Sequence, residues 1–146
     1  EPTTALDATV QREVLGILTE FVREKDMALM LVSHNLGVVA HMASRMLVLY
    51  AGTRMEEGET ADVLGDPRNP YTRGLLAALP GRTGRGRRMA SIPGTVPSLA
   101  HLPPGCRFAG RCPDEIPLCS QDEPGWRAFG AARGVRCLRA LTTESV

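Results

Sequence analysis

All four cysteines of this 146-residue chain lie in its last third, as Cys106, Cys112, Cys119 and Cys137, spaced Cys-x5-Cys-x6-Cys-x17-Cys. Four thiolates fit a metal ion or cluster, and ligation supplies folding free energy to a segment that lacks a core of its own. Zinc sites usually carry paired Cys-x2–4-Cys knuckles, and none is present here. Wider, uneven gaps suit a [4Fe–4S] cluster, whose corners lie farther apart, and Cys112-Pro113 is the Cys-Pro pair seen in ferredoxins. Zinc, and four thiols left unligated or disulfide-linked, stand as the alternatives. Arg107, Arg111 and Arg136 flank these positions. They could offset the charge of a thiolate-bound cluster, or be solvated surface arginines. Ser33-His34 ends an apolar run, where such a pair is usually a cap or a satisfied core histidine; His41 and His101 match no motif.

The elements that would carry these residues differ between two halves. Val10, Val14, Ile17, Leu18, Phe21 and Val22 recur at three- and four-residue steps between Ala8 and Lys25, which predicts a helix with Asp7 as N-cap. Met27–Val32 is apolar without alternation and reads as a strand covered on both faces, as in a parallel sheet. A short helix over Leu36–Met42 follows, capped by Asn35. Strands are predicted over Arg45–Tyr50 and Thr53–Glu57, joined by Ala51-Gly52, and helices over Thr60–Leu64 and Pro70–Leu79, with Leu75, Leu76 and Leu79 inward. From Pro80 onward the composition shifts: eight of 11 prolines and nine of 15 glycines fall there, and Gly81–Arg88 reads as a flexible basic linker. Beyond it no segment has helical or strand periodicity. Trp126 is expected in the core of this part. The pattern is α/β in front and loop-rich behind.

Glu1-Pro2-Thr3-Thr4-Ala5-Leu6-Asp7, then a helix, an apolar run and Ser33-His34, resembles the ATP-binding subunits of ABC transporters. The resemblance implies that Glu1 is the general base that polarises the attacking water. It implies that His34 contacts the γ-phosphate, and that Asp7 belongs to the loop coupling two nucleotide sites across a dimer. Phosphoryl transfer needs such groups: a positioned water, and donors for the charge building on the phosphate oxygens. Sites in open α/β sheets form at the carboxyl ends of strands, where Glu1 and His34 would stand. Tyr50–Gly58, Asp66–Leu76, Ile92–Pro97 and Leu102–Cys106 narrow the resemblance to the oligopeptide/dipeptide branch. Members commonly have His where this chain has Asn69 and Asp where it has Asn35. Asn35 can still cap a helix, whereas Asn69 removes a titratable group from a surface turn.

The fold class expected is therefore the C-terminal part of a P-loop NTPase sheet-and-helix core followed by a small loop-rich cysteine domain. Its divisions are 1–79 for the ATPase part, 80–91 for the linker, 92–140 for the cysteine domain and 141–146 for a tail. The implied function is an energy-coupling ATPase subunit of an importer for di- and oligopeptides, peripheral on the cytoplasmic face of the membrane. It would work with a second ATPase subunit, transmembrane permease subunits and, indirectly, a peptide-binding protein. Peptide-transporter subunits with such a quartet are known for a [4Fe–4S] cluster, so the resemblance implies that cofactor as well. A reducing cytosol gives such a protein no reason for structural disulfides.

A phosphate loop ending Gly-Lys-Ser/Thr is absent, since the only lysine, Lys25, has no glycines before it. The magnesium aspartate and the Leu-Ser-Gly-Gly-Gln-like signature are absent too. ATP and Mg are thus expected only with the full-length subunit, and the chain alone is expected not to hydrolyse ATP. A stand-alone four-cysteine iron–sulfur or zinc module without ATPase activity is the alternative function.

Charge and composition exclude other classes. Residues 1–80 hold 7 basic and 11 acidic groups and residues 81–146 hold 10 and 5, so the net +1 conceals opposite halves. No recognition helix or interleaved aromatics accompany the arginines, so no nucleic-acid partner is expected. No apolar run approaches the roughly 18 residues of a spanning helix, and the first residues do not read as a signal peptide.

Overall fold

Asp7 has extended backbone, and its carboxylate accepts hydrogen bonds from the amides of Thr9 and Val10 at 2.9 Å each. Two otherwise orphaned donors are satisfied this way, and the chain enters α1, Ala8–Glu24. The helix stops at Lys25. Asp26 follows in the left-handed region at φ 49°, and the Met27 amide returns to the carbonyl of Val22 at 3.0 Å, the Schellman closure of a helix end. The computed structural model describes residues 7–79, 91–130 and 132–139. Its contacts divide the chain into two units, Glu1–Ser44 and Arg45–Val146.

In the first unit, α2 (Leu36–Met42) is capped by Asn35, whose side-chain oxygen accepts from Gly37 N at 3.0 Å and Val38 N at 3.3 Å. Both caps follow the expectation. The strand expected over 27–32 does not. Residues 27–33 form no strand, and Met27, Leu29, Met30 and Val32 are exposed, Met30 at 90%. An isolated extended segment has no ladder to satisfy its amides, and among the described residues no strand pairs with this one. The apolar face of α1 is likewise narrower than its periodicity implies: Leu15 is buried, while Ile17 and Phe21 are exposed.

The second unit is built on a four-stranded sheet. Strands β1 (Arg45–Tyr50) and β2 (Thr53–Glu59) pair antiparallel about a two-residue turn. Ala51 (φ 45°) and Gly52 (φ 75°) are both left-handed there, as the type I′ turn requires. β1 alternates: Met46, Val48 and Tyr50 point inward while Leu47 and Leu49 face out. Two helices follow, α3 (Thr60–Gly65) and α4 (Pro70–Ala77). Leu76 of α4 is buried as expected, together with Thr72, which periodicity alone did not single out; Leu75 and Leu79 are half-buried.

The region expected to lack regular structure has a 3₁₀ turn at Pro117–Ser120 and two short strands, β3 (Trp126–Phe129) and β4 (Arg133–Arg136). The sheet order is β1-β2-β4-β3, and every pairing is antiparallel. The chain is α/β, though the parallel arrangement expected around 27–32 is absent among the described residues. The expected boundary near residue 80 lies inside the second unit, because β4 joins the sheet through Glu56↔Val135 and Glu57↔Gly134. Residues 80–90 of the linker expected over 80–91, and the whole tail expected over 141–146, lie outside the described residues. No helix of the described residues is long and apolar enough to cross a membrane.

Candidate functional site

The expected nucleotide site has three residues. Glu1 lies outside the described residues. Asp7 is the N-cap of α1. His34 is exposed, at a bend between the 27–33 segment and α2. Next to it, the Asn35 amide donates to Ser33 Oγ at 3.1 Å. The local fold thus turns Ser33 and Asn35 inward on their own backbone, which orders the turn that carries the imidazole.

The four cysteines do come together. Cys106, Cys112, Cys119 and Cys137 line one small enclosed cavity with Met55, Asn69 and Phe108. Cys119 is buried, the others are half-buried, and all four are free thiols. The close approach is fixed by backbone: Cys106 N donates to Cys119 O at 2.7 Å. Gly105 has to be glycine here, because a Cβ would overlap that carbonyl and lie 2.8 Å from Ser120 C.

Around the cavity, Tyr50, Met55 and Phe108 form the core of the unit, with Tyr71, Ile92, Cys106 and Cys112 packed on it. Ring centroids stand 4.6 Å apart for Tyr50–Tyr71 and 5.3 Å for each contact with Phe108. Such tilted pairs add about 0.5–1.5 kcal/mol each beyond the area they bury. The thiols behave as small apolar groups in this setting. Burial is the largest cause that raises Cys106 and pushes Cys112 up to about 11; neighbouring thiols, with Asp114 for Cys112, add to it.

That arrangement corrects the expected cofactor. Among the described residues no three His, Cys, Asp or Glu side chains are grouped so as to hold a metal ion. The [4Fe–4S] cluster and its zinc alternative are therefore not upheld, and with them falls the stand-alone metal module. What holds the cysteine-bearing segment is instead its share in the sheet and the aromatic core.

Two of the three flanking arginines, Arg111 and Arg136, serve that purpose too. Arg111 donates through Nη1 to Tyr50 Oη at 2.8 Å, through Nε to Pro93 O at 2.7 Å and through Nη2 to Ile92 O at 3.3 Å. Arg136 reaches Pro124 O at 2.8 Å and Arg54 O at 3.3 Å. Arg54 in turn lies over the Trp126 ring, 3.6 Å from its centroid. Trp126 is half-buried against Gly134, where a Cβ would stand 2.8 Å from its Nε1.

Glu56, which sequence reasoning missed, and Asn69, which it placed in a surface turn, hold the junction of these parts. Glu56 is fully buried; its carboxylate accepts from Arg68 N at 2.8 Å and Asn69 N at 3.0 Å and faces Arg133 at 3.4 Å. Asn69 is only 1% exposed, so it is no surface turn. It caps α4 by accepting from Tyr71 N at 2.9 Å, and its Nδ2 donates to Met55 O at 3.2 Å and Arg136 O at 2.9 Å. The departure at position 69 was visible in the sequence. Its burial was not, because its carbonyl partners lie as far as 67 positions away.

Residues 55–119 match the family described as oligopeptide/dipeptide transporter, C-terminal region. The resemblance to the ATP-binding proteins of such transporters is borne out. It is 43% identical to a putative peptide import ATP-binding protein of Brucella ovis over 95% of this chain and 43% of the relative. Against the dipeptide transport ATP-binding protein of Bacillus subtilis it is 42% identical, over 94% of this chain and 41% of the relative. With the oligopeptide transport ATP-binding protein of Salmonella typhimurium it shares 43% identity, over 97% and 42%. The chain thus spans about two fifths of the length of these relatives.

Proposed function

We propose that this chain acts within the ATP-binding subunit of an ABC-type importer for di- or oligopeptides. In this reading Glu1 polarises the attacking water, His34 donates to the γ-phosphate, and Asp7 stands in the loop that couples paired nucleotide sites. Asp7 also caps α1. The subunit would lie against the cytoplasmic face of the membrane, paired with a second ATPase subunit and with permease subunits, and through them with a peptide-binding protein.

The observation that carries this reading is the 42–43% identity, across nearly all of the chain, to proteins named for ATP binding in peptide transport. Support from geometry is the exposure of His34 at an ordered bend. ATP is the substrate, and the sequence here has no Gly-Lys-Ser/Thr loop to cradle its phosphates. The 146 residues alone are accordingly expected to show no ATP turnover.

The test joins this chain to the preceding part of the Bacillus subtilis relative. The chimera should hydrolyse ATP, and Glu1→Gln should lower its turnover on the order of a hundredfold or more, the scale of a lost general base. Turnover by the 146 residues alone, or a chimera indifferent to Glu1→Gln, overturns the reading.

A further inference from the structure

The ladder between β2 and β4 pairs Glu56 with Val135 and Glu57 with Gly134. Continued by one step, that register would set Met55 opposite Arg136, yet the ladder stops. At that step the Asn69 side chain stands between the strands. Its Nδ2 carries two hydrogens and has two acceptors, Met55 O on one strand and Arg136 O on the other. The amide stands where the next rung of the ladder would be. Cys137 is the next residue on β4's chain, and Met55, Asn69, Arg136 and Cys137 all line the cavity that the other three thiols share.

Other bonds make the wedge rigid. Asn69 Oδ1 is held by the Tyr71 amide at 2.9 Å, and its own amide is anchored on buried Glu56 at 3.0 Å. The Arg136 side chain ties the same strand end to Arg54 O and Pro124 O. Each polar atom of the Asn69 side chain is thus used, at a site 1% exposed.

We propose that Asn69 is the positioning residue of the thiol cavity: its amide ends the β2–β4 ladder and holds Cys137 against Cys106, Cys112 and Cys119. The inference is independent of the transport reading above. Asn69→Asp and Asn69→Ser both keep an oxygen able to cap α4 but abolish the two donations to carbonyl oxygens.

The test is residue-resolved thiol labelling of the folded chain with a maleimide, read by mass spectrometry, with helix and sheet content followed by circular dichroism. In either variant Cys137 should label about tenfold faster than in the unaltered chain, the scale set by buried carbonyls that lose their donor. Cys119, fixed through its own carbonyl to Cys106 N, should change much less. Equal acceleration at all four thiols would mark a general loosening and overturn the proposal. Unchanged Cys137 labelling also overturns it, and so does loss of folded structure in both variants, because Asn69 would then hold the whole unit rather than one strand end.

Discussion

The two units spend their apolar residues in opposite ways. Among the described residues of the first, Leu15 and Val38 are the buried large apolar side chains, while Ile17, Met30 and Val32 are at least 66% exposed. In the unit that begins at Arg45, Met55, Val63, Phe108 and Val135 are each 2% exposed or less. The sequence is no more apolar in the second than in the first. The difference is that β1 finds a partner across a two-residue turn, whereas the segment 27–33 pairs with no described strand. Apolar composition sets what a segment is able to bury; pairing decides whether it does so.

That contrast predicts a graded series of effects. Phe108→Ala removes the centre of the aromatic cluster and should destabilise the second unit by about 4 kcal/mol, read as a shifted urea midpoint in circular dichroism. A shift no larger than that of a surface substitution would erase the contrast. Gly105→Ala should follow, at about 3 kcal/mol, because backbone atoms rather than a yielding side chain meet the new Cβ. Retention of wild-type stability would mean that the Cys106–Cys119 backbone approach is looser than described.

A third effect depends on pH. The Cys112 thiol is raised from the ordinary 9.0 to about 11 by burial, and Cys106 is raised in the same direction. A folded-state pKa above the unfolded one means that the folded chain binds the proton more tightly. The resulting stability is complete below pH 9 and is lost as pH rises through 11. Urea midpoints measured from about pH 8 to about pH 11 should decline more steeply with the Cys112 thiol present than in Cys112→Ala, where the raised Cys106 remains.

Within the first unit, Asp7→Ala should cost about 1 kcal/mol of α1 stability through the lost cap, seen as faster hydrogen exchange at Thr9 and Val10. Smallest of all, Met30→Ser at a 90% exposed position should change stability by less than about 0.5 kcal/mol. A large loss there would show that residues 27–33 are covered in solution, and would place the two units on equal footing.

Much of the fold was legible where the signal is local. Asp7 and Asn35 announce their caps, Ala51-Gly52 its turn, and the β1 alternation its inward face. Strands β3 and β4 were not legible. Four residues each, with Gly134 and arginines at both ends of β4, offer no period to count, and they exist because β2 supplies a template. The segment 27–32 fails in the reverse direction: its composition is that of a buried strand, but a strand is a property of two chains of residues. The gathering of the four thiols was expected from their shared segment. The cofactor was not legible, since spacing along the chain cannot report whether side chains converge as ligands or pack as apolar groups. Glu56 was missed and Asn69 was placed in a surface turn because a buried polar residue is recognised by its partners, and those are distant in sequence.

Trp126 is the only tryptophan in the chain, and it sits between the Arg54 guanidinium and the bare backbone of Gly134. The molecule therefore contains its own single-site optical probe. Its fluorescence will follow the joining of β2, β4 and β3, so the melting of that sheet can be timed without an added label.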